Sequence, residues 1–299
     1  MKNDYLKQLN IILGKHGYLQ DFSIKKDEFR RFNGIIYDRS GKNYFLKAAF
    51  GKDSYEYKSL YRESQVTKFL STRTKKIRVS HNGYRLYVPN VAKIIDQDEI
   101  FCLITRYIEG RKLLNENSGT QVDILSATLE LVSKLGKVSH ISTIRPYLKN
   151  YTREALLISL PIRFIKASIL SPSALPRLIR ASWRALSLLS SGIYEHGLVH
   201  PDINVSNIIF DKNAIYLTDW EEAGWGMSAY NVTSPLCLQW QEKTLRDRLL
   251  ARLRDNGEKK ITIPLLAYRT LMLFNQHLER GNKKRKRDFA ILKFLETAL

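Results

Sequence analysis

HPDINVSNIIFDKNAIYLTDWE, residues 200–221, is the stretch whose reading decides the rest. Residues 208–210 and 214–217 are apolar runs suited to strands, and Asp211-Lys212-Asn213 between them is turn chemistry. The chain therefore folds back on itself, and residues just before the first strand face residues just after the second. That brings Asn207 to Asp219. An amide oxygen and a carboxylate then converge, a pair that suits Mg2+, a hard cation that takes a few oxygen ligands from protein and the rest from phosphates and water. Asp202, five residues before Asn207, falls in a tight loop from which it can accept a proton from an attacking hydroxyl.

Working outward toward the N-terminus, residues 31–37 and 43–50 carry strand signals around Asp38-Arg39-Ser40-Gly41-Lys42, a second hairpin. Alternation in its second strand sets Phe45, Lys47 and Ala49 on one face and Tyr44, Leu46, Ala48 and Phe50 on the other, so Lys47 projects from an otherwise apolar segment. Residues 54–70 follow helical spacing through Leu60, Glu63, Thr67 and Leu70, which puts Glu63 on the inward stripe. A carboxylate there needs a partner, because an unpaired buried charge is costly. Lys47 is the candidate, with Glu56 as the alternative carboxylate. A helix is predicted over 2–17. Residues 85–95 and 100–107 are read as two further strands flanking the turn Asp96-Gln97-Asp98-Glu99.

These residues resemble the protein-kinase-like phosphotransferases, whose loop runs H-x-D-x-x-x-x-N with an Asp at the end of the following hairpin; His200, Asp202, Asn207 and Asp219 match in order. Asp219-Trp220-Glu221 and the string YRESQVTKFL, with Arg62-Glu63, are similar to the aminoglycoside phosphotransferase and choline kinase branch. The resemblance implies an α+β, bilobal protein-kinase-like fold: a small N-terminal antiparallel-sheet lobe with one key helix (residues 1–107) and a larger, mostly helical C-terminal lobe (108–299). It implies ATP and Mg2+ as cofactors. Lys47, positioned by Glu63, would meet the phosphates; Asn207 and Asp219 would hold the metal; Asp202 would serve as catalytic acceptor and His200 as a loop brace. Residues 105–108 would contact adenine as backbone, through Thr105, Arg106, Tyr107 and Ile108. Three departures stand out. No glycine-rich loop precedes the first hairpin, where IKKDEFRRF (24–32) stands instead. Asn204 occupies a position that is Lys in protein kinases and commonly His in aminoglycoside kinases; its amide can donate a hydrogen bond to a phosphoryl group without bringing charge. Tyr230-Asn231-Val232 stands where an Asp often braces this region, and no Ala-Pro-Glu segment follows, which argues against a protein kinase.

The remaining sequence bounds the setting. The chain has 299 residues, 44% of them hydrophobic, enough for one bilobal domain or two smaller ones. Cys102 and Cys237 are too isolated for a disulfide framework or zinc site. The excess of 49 Lys and Arg over 29 Asp and Glu, a net charge of +20, favours polyanions without choosing among them. Residues 141–191 concentrate it: eight basic side chains and one acidic, Glu154, interleaved with Leu, Ile, Phe and Trp and broken into short helices by Pro161, Pro172 and Pro176. That stretch is either a solvated basic face or an insertion that binds an acidic acceptor or lies on an anionic membrane surface. A helix ending at His196-Gly197 is expected to lead into the 200–221 stretch. C-terminal helices are predicted over 241–255 and 263–280, and KKRKR (283–287) is read as a solvated turn or polyanion contact. With neither a leader nor a membrane span visible, a cytoplasmic protein is expected, peripheral to the inner membrane surface if the basic face engages lipid. The function that fits is ATP-dependent phosphoryl transfer to a hydroxyl of a small molecule, sugar or lipid headgroup, including a membrane glycolipid. The rival is a pseudokinase-like module binding a polyanion such as nucleic acid, which the complete polar set disfavours.

Overall fold

The structure is a computed structural model describing residues 2–20, 25–26, 31–76, 80–138, 141–190, 194–255, 259–279 and 285–297. The chain opens with α1 (Lys2–Lys15) and the short strands β1 (Tyr18–Gln20) and β2 (Lys25–Lys26), then forms the hairpin of β3 (Arg31–Asp38) and β4 (Asn43–Phe50). Its turn is set by Asp38, whose Oδ1 accepts from the Ser40 and Lys42 N–H groups at 2.9 and 3.1 Å, while Gly41 takes φ 79°. Alternation along β4 sorts its side chains as predicted, and each face receives a helix. Leu46, Ala48 and Phe50 pack with Leu9, Ile12 and Leu13 of α1. Ala49 packs with Tyr57 and Leu60 of α2 (Tyr55–Lys76). The start of α2 is fixed by Ser54, whose Oγ accepts the Tyr57 N–H at 3.1 Å, and Arg73, Lys75 and Lys76 in its last turn suit the negative end of the helix dipole.

Residues 85–95 do not form one strand. Pro89, which lacks an N–H, separates β6 (Tyr84–Tyr87) from β7 (Val91–Gln97), and the two join different sheets. The short β5 (Ser80–His81) pairs with β6, while β7 pairs with β8 (Ile100–Arg106) to complete the antiparallel sheet β1-β3-β4-β8-β7, with β2 beside β3. The segment 24–32 falls largely outside the described residues.

Beyond β8 come β9 (Arg111–Lys112), α3 (Ser118–Val138), β10 (Lys149–Tyr151), α4 (Arg153–Leu170) and α5 (Leu175–Leu186). Pro161 lies inside α4 without ending it: its ring is exposed, and just past it Asn275 Nδ2 donates to the Arg163 carbonyl at 2.8 Å, so packing offsets the one lost helical bond. Pro172 and Pro176 do fall at helix starts. The approach to the 200–221 stretch is a strand and not a helix end, β11 (His196–Val199), because Leu198 and Val199 are fully buried in a small sheet. The predicted hairpin follows as β12 (Ile208–Asp211) and β13 (Ala214–Leu217), with Ile208 opposite Leu217. Next are β14 (Gly224–Met227), α6 (Tyr230–Leu238), α7 (Lys243–Asp255), α8 (Lys259–Glu279) and α9 (Arg285–Thr297). Arg285–Arg287 of the basic run open α9, and Arg287 is buried against Asp288 at 3.5 Å, not solvated; residues 283 and 284 lie outside the described residues. Cys102 and Cys237 are buried free thiols. The result is α+β and bilobal: an antiparallel sheet flanked by two helices, then a larger helical part with its own core.

β14 sits between β10 and β11 and supports the segment that leaves the hairpin. Its register places Gly226 opposite Tyr151, where an added Cβ would meet the Tyr151 carbonyl carbon and oxygen at 2.1 Å. Gly226→Ala should therefore separate β10 from β14 and cost more than about 3 kcal/mol, read as a lowered urea midpoint.

Candidate active site

Lys47 crosses from β4 to two carboxylates. Its Nζ donates to Glu63 Oε1 at 2.7 Å and to Asp219 Oδ1 at 2.8 Å. Burial works against the ammonium, but Asp219 and Glu63 outweigh it and raise the Lys47 pKa. Asp219 is held below the usual carboxylate range by Lys47. Burial pushes Glu63, 3% exposed, up to about 7 in spite of Lys47. Its second oxygen is buried without a partner among the described residues. Glu63, and not Glu56, is therefore the partner. Beside this group Arg31 of β3 grips Glu221 through two bonds of 2.6 and 2.7 Å, and Ser59 Oγ of α2 donates to the same carboxylate at 2.7 Å. Burial opposes ionisation of Glu221, but Arg31 holds its pKa low. Sheet, helix and post-hairpin segment are thus tied by one network of two cations and three carboxylates.

The loop before β12 is built from its own polar groups. Thr218 donates from both N–H and Oγ1 to the Asn207 carbonyl, at 2.9 and 3.0 Å, extending the hairpin register so that Asn207 stands beside the residue preceding Asp219. Asn207 Nδ2 donates to Asp202 Oδ2 at 2.7 Å and to the Asp202 carbonyl at 3.0 Å. Burial raises the Asp202 carboxyl, against the pull of His200. His200 is buried: its Nδ1 accepts the Asp202 N–H at 3.3 Å and its Nε2 meets the Thr218 carbonyl at 3.0 Å, which fixes a neutral, Nε2-protonated ring. Burial lowers its pKa accordingly. Trp220 packs edge-on at 4.6 Å. Asn204 turns its side chain into the loop. Its side chain is buried, Nδ2 donating to the Asp202 carbonyl at 3.0 Å and Oδ1 accepting the Ser206 N–H at 2.8 Å, so the amide is spent on loop shape.

Two further residues brace the loop, Asn231 at the position noted for its missing Asp and Arg269 from far along the chain. Asn231 of α6 accepts the His200 N–H at 2.7 Å and donates to the Leu198 carbonyl at 2.9 Å, so an amide supplies the support expected of an Asp. Arg269 of α8, fully inside, donates to the Pro201 carbonyl at 2.7 Å. Its signal was a single charge within the apolar run PLLAYRTLMLF (264–274). Arg31 and Glu221 carried no such signal, because nothing local shows that residues 190 apart will meet.

Lys47, Glu63, Asn207 and Asp219 all line one cleft of about 370 Å³ between the sheet and the hairpin. Its far end is apolar, with Ile35, Phe45, Leu103 and Ile209, and is bordered by Thr105, Arg106, Tyr107 and Ile108. Thr105 and Arg106 spend backbone groups on the sheet, and Arg106 N–H goes to the Asn90 carbonyl at 2.9 Å. Ile108 N–H has no partner among the described residues. Gly110 closes the rim, since a Cβ there would lie 2.8 Å from Ile209 Cγ2 and 3.0 Å from the Phe210 carbonyl oxygen. The donor set fits a hard cation: Asn207 uses its amide nitrogen on Asp202 and its Oδ1 accepts only a long bond, 3.4 Å, from Ser206 Oγ, while Asp219 uses only Oδ1 on Lys47. Asp219 is aimed by a left-handed backbone, φ 63° and ψ 64°, which Asp tolerates. Glu63, Asp219 and Glu221 also cluster within 4.8 Å, but Lys47 and Arg31 already neutralise them.

Among solved structures, a thermostable mutant of aminoglycoside phosphotransferase APH(4)-Ia in ternary complex with ADP and hygromycin B superposes with TM-score 0.71 at 14% identity, over 95% of this chain and 97% of that one. Amicoumacin kinase hAmiN in complex with AMP-PNP and Ca2+ gives TM-score 0.64 at 12% identity over 96% and 91%. A macrolide 2'-phosphotransferase type I gives 0.60 at 16% over 97% and 96%. No curated protein matches the sequence. The model of the phosphotransferase enzyme family matches residues 36–264, a span from β3 into α8 that contains every cleft residue but Ile35, and the chain belongs to that family.

Proposed function

We propose that this phosphotransferase carries the γ-phosphate of Mg-ATP to a hydroxyl of a small molecule, with a sugar or lipid-headgroup hydroxyl as the acceptor class. The observation that carries the reading is Lys47 held between Glu63 and Asp219 at the mouth of an apolar cleft, with Asp202 linked to the same floor through Asn207.

The apolar end suits adenine, with the Ile108 N–H as donor. Lys47 is kept charged for the phosphates, and Glu63 fixes its direction. Asn207 Oδ1 and the second oxygen of Asp219 would hold Mg2+, which when bound neutralises charge on the transferring phosphates. Asp202 takes the acceptor proton as the new O–P bond forms and the bond to the ADP oxygen breaks. Its carboxyl, raised by burial, is a better proton acceptor than an exposed aspartate. His200 stays neutral and holds the Asp202 backbone, while Asn204 shapes the turn between them. This reading keeps the lobe boundary at 107/108, supported by the end of β8 at Arg106 and by Tyr107 and Ile108 lining the cleft. The polyanion-binding module is disfavoured because the five polar groups are present and interlocked.

Asp202→Asn should lower ATP-dependent phosphorylation by about 100-fold or more with an unchanged urea midpoint. Asp219→Asn should weaken Mg-ATP binding by calorimetry. Unaltered turnover in Asp202→Asn would remove this mechanism. A screen of sugars, aminoglycosides, amine alcohols and lipid headgroups for ATP consumption identifies the acceptor. For pH, the folded protein holds His200 neutral below its ordinary pKa of about 6.5, so the unfolded chain binds the extra proton first. Stability from this group is complete above about pH 6.5 and is lost as pH falls toward the depressed folded value. His200→Gln should therefore show a shallower fall in urea midpoint between about pH 7 and pH 5 than the wild type.

A further inference from the structure

The basic stretch after α3 resolves into a surface with no role in the cleft. α4 and α5 pack on each other and on α8. Their inward faces, with Leu160, Ala167, Leu178 and Ala185, are buried. On the outward face of α4, Ile158, Ile162, Ile165 and Ile169 recur every three or four residues and are 78, 69, 56 and 72% exposed. On α5, Ile179 and Trp183 continue the same pattern, 43 and 70% exposed. Nine of the fifteen large hydrophobic side chains exposed among the described residues fall between 158 and 189, so this is a patch and not scattered surface. Basic side chains rim it. Lys166 pairs with Glu279 of α8, and Arg177 and Arg180 reach Glu296 of α9 at 3.3 and 3.7 Å; Arg184 adds a further cation beside Trp183.

We infer that the outer face of α4 and α5 docks the protein on the interfacial zone of an anionic lipid bilayer. The chemistry matches on three counts: an isoleucine stripe to enter the acyl boundary, an indole suited to the headgroup level, and a basic rim that can reach lipid phosphates. Charge chooses this occupant over a second copy, because two chains of +20 would meet basic rim to basic rim, whereas anionic lipid complements it. The helices lie on the bilayer and do not cross it. Among the described residues no single helix is long and apolar enough to span, and the pair bends by 119° with its inner face committed to α8. The inference rests on this face alone and does not depend on the phosphotransfer reading.

The test is flotation of the full chain, without nucleotide, with vesicles of equimolar phosphatidylglycerol and phosphatidylcholine and with phosphatidylcholine alone. Binding to the anionic vesicles is expected, weakened by salt, and the double variant Ile162→Glu/Ile169→Glu should reduce it about tenfold or more with a wild-type urea midpoint. As a readout that spares the stripe, Trp183 emission in the wild type should shift to the blue on anionic vesicles, and the shift should vanish in Trp183→Ser. Failure of the wild type to float with anionic vesicles would overturn the inference, as would equal flotation of the double variant. Lipid-free dimers abolished by the double variant would assign the face to a second copy and overturn it too.

Discussion

A half-buried lysine beside a buried carboxylate needs its charges matched, and Lys47 dictates much of this architecture for that reason. Glu63 arrives from α2 and Asp219 from the end of β13, so movement of the sheet or the hairpin away from Lys47 leaves the Glu63 carboxylate buried with its charge uncompensated. The positions of α2 on the sheet, of the hairpin under the cleft and of the left-handed turn at Asp219 are all answers to that one requirement. The same network leaves Glu63 under strain of its own: one oxygen is paired, the other is buried without a partner, and its affinity for a proton rises toward neutrality.

Support for the 200–207 loop comes from a different kind of bond. Neutral groups dominate it: an imidazole fixed in one tautomer, the Asn204, Asn207 and Asn231 amides, and the Thr218 hydroxyl. Arg269 is the exception, a buried cation spent on a carbonyl. The division is physically sensible. Charge is concentrated where phosphates are to be met, and the frame that aims Asp202 is built from dipoles that do not compete for them.

How much of this was legible depended on whether a signal was local. Period-two alternation in residues 43–50 and period-3.6 spacing in residues 54–70 were sufficient to face Lys47 toward Glu63, because both are set by backbone geometry alone. The hairpin from Ile208 to Leu217 and the meeting of Asn207 with the Asp219 end were likewise local. What escaped were groups whose partners lie far along the chain, such as Arg31 with Glu221 and Arg269 with Pro201. Pro161 misled in the opposite direction: a breaker in isolation, it is overridden by the packing of α4 on α8. The Leu198-Val199 strand was mistaken for a helix end because four residues cannot display a period.

The Arg31–Glu221 clasp has a bearing on kinetics. It joins β3 of the sheet to the segment just past Asp219, and both side chains retain 16–18% of their surface in solvent. Cleft opening that separates these segments must then undo a two-pronged guanidinium–carboxylate contact, and the barrier to that motion contains a Coulomb contribution that mobile ions can screen. Relative movement of the two segments would thus be sensitive to ionic strength, easing as salt rises.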